Sequence, residues 1–268
     1  VDPKRCNSCG NHEDLALSCS RRQSPASNLL RARAKLIAPK AIAGERQLCP
    51  ANICNHGFFF AIRDGDYRSA IEIVRDKMLF ARTCGDICHR PCELFAGLSD
   101  KVPVKALKKF VSGIDENFYD FSIPIGRAEQ AVKNNLRVAI VGAGPAGLSA
   151  AYDLLQAGYS VDVFERRHEP GGMVIAAIPG FRMDKQGFRF EAQQLEAMGA
   201  HFYFGKSLGS ELILSEVAAQ WDAVVLALGQ WRPASLPVLQ QLNGKAPSVD
   251  AVHFLERFNE GLETGIPD

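Results

Sequence analysis

The sequence Leu136-Arg-Val-Ala-Ile-Val-Gly-Ala-Gly-Pro-Ala-Gly147 sets the architecture of the second half of the chain. Its apolar beginning predicts a buried parallel strand over 136–141, and the Ala- and Leu-rich segment at 145–157 predicts a helix directly behind it. Between them, Gly142, Gly144 and Gly147 have the spacing G-x-G-x-x-G. Glycines at these places allow a tight turn, a close approach of the backbone to a pyrophosphate, and close packing of the helix on the strand. The stretch therefore predicts the first strand and helix of a dinucleotide-binding βαβ unit.

A second predicted strand, over 159–165, ends at Glu165, 18 residues after Gly147. A carboxylate there is placed to accept hydrogen bonds from the ribose diol of a dinucleotide, which a glycine turn that merely joins two elements would not require. The following elements alternate, with predicted helices at 186–198 and 211–219 and predicted strands at 201–204 and 223–228. This alternation indicates an α/β fold with a parallel sheet, in a Rossmann-type domain.

Two later glycine features favour FAD over NAD. Gly171 and Gly172 begin six residues after Glu165, and Gly229 closes a later apolar run. Both features are typical of flavoproteins, and a plain surface turn at Gly171-Gly172 is the alternative interpretation. The candidate cofactor-binding residues are Gly142, Gly144, Pro145, Ala146, Gly147, Glu165, Arg166, Gly171, Gly172, Met173, Ala227 and Gly229.

All eight cysteines lie in the first 92 residues. The sequence shows no export signal, so metal ligation is favoured over a disulfide scaffold. Cys84, Cys88 and Cys92 are spaced so that a short, turn-rich segment brings three thiols to one site, and the segment from Cys49 to Cys54 offers a fourth. Thiolates are soft ligands that favour iron-sulfur clusters or zinc. The candidate metal ligands are Cys6, Cys9, Cys19, Cys49, Cys54, Cys84, Cys88 and Cys92.

The first half of the chain is predicted to be helical where it is regular, with two short helices between 57 and 79 and another after Pro103. Asp66 is placed to cap the second helix. The segment 113–127 contains proline and glycine and is predicted to be a linker. We therefore expect a cysteine-rich helical domain over residues 1–125 and a Rossmann-type domain over residues 126–268.

The overall charge argues against nucleic acid or an anionic membrane as a partner. The chain has 31 Lys and Arg residues against 30 Asp and Glu residues, and its hydrophobic fraction of 47% fits a protein with a buried core. No apolar segment reaches the roughly 18 residues of a membrane span, and the first residues lack a signal-peptide core. The sequence is expected to be that of a soluble, cytoplasmic protein.

An ordered set of motifs resembles one family of oxidoreductases. The chain contains, in this order, Cys49-Pro, Gly65-Asp66-Tyr67, Cys84-Gly-x-x-Cys88-x-x-x-Cys92-Glu93, Leu107-Lys-Lys-Phe110, the Gly142–Gly147 fingerprint and Ile178-Pro-Gly-Phe-Arg182. This order is similar to that of the small subunit of glutamate synthase and of the N-terminal half of dihydropyrimidine dehydrogenase. The resemblance implies an α-helical ferredoxin-like domain whose 4Fe-4S clusters lie between FAD and an electron partner.

The sequence departs from the family's pattern in two places. Cys6, Cys9 and Cys19 are separated from Cys49 by a basic insertion, and Ala96 stands where the family tends to have a cysteine. We therefore expect one or two 4Fe-4S clusters. Zinc bound near Cys6, Cys9 and Cys19 is the competing interpretation.

The resemblance implies an FAD-dependent, NAD(P)-linked oxidoreductase subunit that passes electrons between NAD(P)H, or a partner, and a redox partner subunit of a larger complex. Chains of the family normally continue into an NAD(P)H domain after a segment like 254–259, whereas this sequence stops at Asp268. Either the sequence is a piece of a longer protein, or the chain is a non-catalytic electron relay without its own nicotinamide site. A zinc-bearing binding module with a vestigial nucleotide fold is the third hypothesis.

Overall fold

The chain forms two compact units that divide between Arg127 and Ala128. The computed structural model describes residues 49–51, 53–94, 102–232 and 249–262. Three of the predicted metal ligands, Cys6, Cys9 and Cys19, lie outside the described residues. The predicted domain boundary after residue 125 falls close to the division between the units.

Helices make up the regular structure described in the first unit. They are α1 (Asn55–Arg63), α2 (Tyr67–Arg75), α3 (Ala81–Ile87), α4 (Pro91–Leu94), α5 (Val104–Ile114), a π-helical turn (Asp115–Tyr119) and the first part of α6 (Ser122–Gln130), a helix that continues past the division at Arg127. The Asp66 carboxylate accepts a hydrogen bond from the Ser69 N–H at 3.1 Å and caps α2 as predicted. Ile71 and Val74 on α2 pack with Phe58 on α1 into one hydrophobic core.

The predicted linker over 113–127 is helical, so that prediction was wrong. The segment contains the end of α5, the π-helical turn and the beginning of α6. Pro124 is the third residue of α6. Since the first residues of a helix have no intrahelical acceptor for their N–H groups, proline is tolerated there and does not break the helix.

The segment from Cys84 to Cys92 is also more helical than predicted. Cys84 lies within α3 and Cys92 within α4, and Arg90 between them has a left-handed backbone with φ of 63°. Gly85 allows α3 to pack directly on α5, because a Cβ atom at this position would lie 2.9 Å from the Lys109 Cα. Close packing, more than turns, therefore fixes where these thiols lie.

A buried ion pair joins α2 to the π-helical turn. Arg75 Nε donates to Asp115 Oδ2 at 2.7 Å, and the two residues are 1% and 0% exposed. The Arg75 guanidinium also lies over the Phe121 ring at 4.3 Å from its centroid. Burial raises the pKa of Asp115, and the positive charge of Arg75 opposes that rise.

Among the described residues, the second unit is an α/β domain with a parallel sheet of four strands. This confirms the predicted α/β class, whereas the ferredoxin-like character of the first unit stays a prediction. Its elements are β1 (Arg137–Val141), α7 (Pro145–Gln156), β2 (Ser160–Glu165), α8 (Met173–Ala176), α9 (Lys185–Ala197), β3 (Ala200–Phe204), α10 (Leu214–Gln220), β4 (Ala223–Leu226) and α11 (Ala251–Asn259). The strand order is β3-β2-β1-β4, with every neighbouring pair parallel. The sequence had not predicted α8 or α11.

The strand order places a topological switch point between β1 and β4. The chain first adds β2 and β3 on one side of β1 and then crosses to add β4 on the other side. Connections that leave in opposite directions open a crevice at the carboxyl ends of β1 and β4, where α/β proteins bind ligands. Among the described helices, none is long and apolar enough to cross a membrane.

Candidate functional site

A cavity of about 260 Å³ opens at the carboxyl ends of β1, β2 and β4. The glycine turn after β1, the segment after β2 and the segment after β4 all contribute to its walls. Most of the predicted cofactor-binding residues line it: Gly142, Gly144, Pro145, Ala146, Glu165, Arg166, Gly172, Met173, Ala227 and Gly229. Three sequence motifs that lie far apart along the chain therefore meet at one place.

The three segments approach each other so closely that side chains would separate them. Gly142 has φ of +109°, and a Cβ atom there would lie 2.4 Å from the Ala227 carbonyl oxygen. A Cβ atom at Gly172 would lie 3.1 Å from the Gly144 Cα. The Gly171-Gly172 turn thus packs on the first glycine turn, which argues against a plain surface turn.

Gly147 and Gly171 are not among the residues that line the cavity, and both support its walls. A Cβ atom at Gly147 would lie 2.0 Å from the Gly142 carbonyl oxygen, so glycine is needed where α7 begins. Gly171 donates its N–H to the Ala143 carbonyl at 2.7 Å. Both glycines therefore hold the turns in place from behind.

Glu165 ends β2 with its carboxylate fixed by two backbone groups. Oε2 accepts from the Ala143 N–H at 2.8 Å and Oε1 accepts from the Arg167 N–H at 2.9 Å. The residue is 5% exposed and lines the cavity. Each carboxylate oxygen can accept more than one hydrogen bond, so both can still accept from a ligand hydroxyl.

The N-terminus of α7 faces the same cavity. Gly144 is the N-cap and Pro145 is the first helical residue, so proline stands where its missing N–H costs nothing. The N–H groups of the first turn and the helix dipole favour an anion at this end of the helix. The cavity thus offers a place for phosphate next to a place for ribose hydroxyls.

Sequence reasoning missed several residues that line the cavity: Val141, Phe164, Lys206, Leu208, Leu226, Leu228 and Trp231. Lys206 lies two residues after the end of β3, and its N–H donates to the Glu165 carbonyl at 2.9 Å. A rule about the carboxyl ends of parallel strands could therefore have found it. Trp231 lies beyond β4 and reaches back to the Arg166 guanidinium, 4.3 Å from the ring centroid. No local sequence pattern predicts this contact between Trp231 and Arg166.

Helix α11 contacts the segment after β2 through polar groups. The Arg167 side chain pairs with Glu256 and lies 3.5 Å from the Glu260 carboxylate. Asn259 Nδ2 donates to the Ala176 carbonyl at the end of α8, at 2.7 Å. Since the Arg167 N–H also donates to Glu165, this arginine connects α11 to the carboxylate in the cavity.

A second group of predicted site residues gathers in the first unit. Lys108 Nζ lies 3.7 Å from Cys49 Sγ, and the Arg90 N–H donates to Cys88 Sγ at 3.4 Å. Burial raises the pKa of the Cys92 thiol, the charge of Lys108 lowers it, and the Cys49 and Cys88 thiols raise it further. Cys49, Cys88 and Cys92 therefore share one environment, which also contains Lys108.

The structure leaves the full set of metal ligands as a prediction. Cys54 is the N-cap of α1 and Cys84 lies within α3. Among the described residues, no group of three or more His, Cys, Asp or Glu side chains is arranged around a single metal ion. A 4Fe-4S cluster asks for a different arrangement, because each of its thiolates binds a separate iron atom.

Comparison with known proteins identifies relatives of the chain. Residues 140–201 match a family model described as an NAD(P)-binding Rossmann-like domain. The chain is 29% identical to the NADP(+)-dependent formate dehydrogenase subunit beta of Moorella thermoacetica, over 79% of this chain and 33% of the relative. It is 31% identical to the NADPH-Fe(3+) oxidoreductase subunit beta of Geobacter sulfurreducens, over 81% of this chain and 33% of the relative.

A third relative is the glutamate synthase [NADPH] small chain of Mycobacterium tuberculosis, which is 32% identical over 75% of this chain and 41% of the relative. The aligned part of the chain thus spans between a third and about two fifths of the length of these relatives. All three relatives are named as subunits or chains of oxidoreductases. The resemblance found from the motifs is confirmed.

Proposed function

Because the chain belongs to the oxidoreductase family that contains the glutamate synthase small subunit, we propose that it is an electron-transfer subunit that binds FAD and iron-sulfur. The observation that carries the proposal is the meeting of three glycine-containing segments around one cavity at the switch point of the sheet. FAD would connect two-electron hydride chemistry with the single-electron chemistry of clusters. The residues of this chain supply binding and orientation.

The cavity residues fit the two chemical parts of the adenosine diphosphate portion of FAD. The N-terminus of α7, with Gly144 next to it, offers N–H groups to the pyrophosphate. Glu165 accepts hydrogen bonds from the ribose hydroxyls, and its carboxylate is already oriented by the Ala143 and Arg167 N–H groups. Gly142, Gly172 and Ala227 allow the backbone to come close to the ligand from three sides.

The gathered thiols support one 4Fe-4S cluster in the first unit. Cys49, Cys88 and Cys92 would be ligands, and Cys54, Cys84 and the three N-terminal cysteines remain proposed ligands for this cluster or a second one. Thiolate donors in a buried, mainly apolar environment suit iron-sulfur chemistry. The names of the relatives support a nicotinamide, NAD(P)H, as the source or sink of electrons and other subunits as redox partners.

The direct test is anaerobic purification of the protein, followed by a visible spectrum and analysis of iron, sulfide and released flavin. We expect flavin bands over broad absorption near about 400 nm, with iron and sulfide in similar amounts. A zinc-bearing module would give no such broad absorption. A well-folded protein that is colourless and free of iron and flavin contradicts the proposal.

A further inference from the structure

We propose that Lys108 raises the reduction potential of the cluster held near Cys49, Cys88 and Cys92 by placing a positive charge beside its thiolates. The inference rests on the proposed function, because it assumes that a cluster binds there. Lys108 lies in the middle of α5, and its Nζ is 3.7 Å from Cys49 Sγ. The charge would act on the cluster through space, without Lys108 being a ligand.

Lys108 is buried, which is unusual for a lysine. Lys108 is only 4% exposed, whereas its neighbour Lys109 has a side chain that is 52% exposed and pairs with Asp86. Lysine is almost never fully buried unless its charge is paired, because an ammonium group in an apolar interior loses its hydration. The long side chain of a lysine usually lets its ammonium group reach water. The 4% exposure of Lys108 shows that its side chain does not do so.

The described residues place no ordinary counter-ion beside Lys108. Within the part of the chain that the structure describes, no carboxylate lies within ion-pair distance of Lys108. The buried acid of this region, Glu93, accepts instead from the Lys105 N–H at 2.7 Å and lies 3.6 Å from Arg90. The polar atom near the ammonium is the Cys49 sulfur. Thiolates of a bound cluster would supply the missing negative charge.

The consequence for the potential follows from the sign of the charges. Each one-electron reduction adds one negative charge to a cluster that its thiolates already make negative. A fixed positive charge at short distance, in a region shielded from water, stabilises the reduced state more than the oxidised state. Lys108 therefore makes the cluster easier to reduce.

The test is an anaerobic redox titration of the full chain, followed by the electron paramagnetic resonance signal of the reduced cluster. Lys108→Met keeps the length of the side chain and removes its charge. We expect the equilibrium constant for one-electron reduction to fall at least about tenfold, which is a shift of about 59 mV to more negative potential. Lys108→Arg, which keeps the charge, should stay close to the wild type.

Lys109→Met, made together with Asp86→Asn, is the matched control, because it removes the same positive charge from the next position on α5, where the side chain is exposed, together with the negative charge that pairs with it. The reduction potential of the cluster in this control variant should match that of the wild type. If Lys108→Met fails to assemble a cluster, the reduction potentials of Lys108→Arg, which keeps the charge, and Lys108→Gln, which removes it, are compared instead. The cluster of Lys108→Gln should then have the more negative potential. Equal potentials in charged and neutral variants overturn the inference, whereas a wild-type protein without a cluster overturns the proposed function itself.

Discussion

Gly142 shows how one residue holds the cavity open. Its φ of +109° is unfavourable for other residues, and a Cβ atom would meet the Ala227 carbonyl oxygen at 2.4 Å. We expect Gly142→Ala to weaken FAD binding about five- to 150-fold, because moving the backbone and adopting this φ cost ~1–3 kcal/mol. The measurement is the quenching of flavin fluorescence when FAD is titrated into the protein after its flavin has been removed.

Gly180→Ala is the control for this substitution. A Cβ atom at Gly180 would meet no atom within 4 Å beyond its chain neighbours, and Gly180 has no left-handed φ, so the methyl group should be accepted. The FAD affinity of Gly180→Ala should match that of the wild type. Equal affinities for Gly142→Ala and the wild type would show that the close approach of Gly142 to Ala227 is unimportant for the cofactor.

At the level of single residues, the sequence predicts what local chemistry requires. Gly142, Gly144 and Glu165 could be found because a turn, a phosphate and a ribose each demand a certain residue at a certain spacing. Trp231 could not, because its place over Arg166 depends on the path of an irregular segment after β4. Lys108 was missed for a related reason, since its burial depends on how α5 packs and not on its own neighbours in sequence.

Helix α11 is attached to the second unit mainly by polar contacts, because none of its residues is buried. Arg167 pairs with Glu256 and approaches Glu260, while its N–H donates to Glu165. We expect the double substitution Glu256→Gln, Glu260→Gln to weaken FAD binding about two- to fivefold. The effect is small because partly exposed ion pairs contribute only ~0.2–1 kcal/mol each.

The same fluorescence titration measures this effect, and hydrogen exchange should show faster opening of α11. Glu216→Gln on α10 is the control, since it removes an exposed carboxylate elsewhere in the unit. A drop in melting temperature with unchanged FAD affinity would mean that α11 only stabilises the fold. The connection to Glu165 is supported if the double variant binds FAD more weakly, while Arg167→Lys, which keeps the positive charge, binds FAD almost as tightly as the wild type.

Whether a helix can be predicted depends on how much of it is buried. The regular alternation in the second unit was found because β1, β2 and α7 bury continuous apolar faces. Helix α11 buries no residue, and α8 has only four residues, so neither produces a clear pattern. The segment 113–127 was misjudged because its proline and glycine suggest a break, although Pro124 stands in the first turn of α6.

On the scale of the whole molecule, each unit has its own interior, and both interiors contain buried charged side chains, such as Glu191 in the second unit and Asp115 in the first. The second unit is built on a sheet whose central strands bury mainly apolar side chains. The first unit combines an apolar core with the buried pair of Arg75 and Asp115. A buried charge that loses its partner is costly, so the first unit should be sensitive to the removal of either charged partner.

Asp115→Leu tests this sensitivity. It leaves the Arg75 guanidinium, which is 1% exposed, without the carboxylate that lies 2.7 Å from its Nε. We expect the free energy of unfolding of the first unit to fall by about 3–5 kcal/mol. Hydrogen exchange followed by mass spectrometry would detect this as faster exchange in peptides from α2 and α5, with little change in peptides from β1 and β2.

The double substitution Arg75→Met, Asp115→Leu separates loss of the pair from loss of packing. It removes both charges and puts apolar side chains in their place, so much of the stability should return, as it does when a buried pair is replaced by apolar residues. Asp64→Asn gives the exposed comparison, because its partner Arg63 has a side chain that is 51% exposed. If the double variant is as unstable as Asp115→Leu alone, the guanidinium contributes through contacts that only the double variant loses, such as those with the Phe121 ring and the Leu79 carbonyl, rather than through its pair with Asp115.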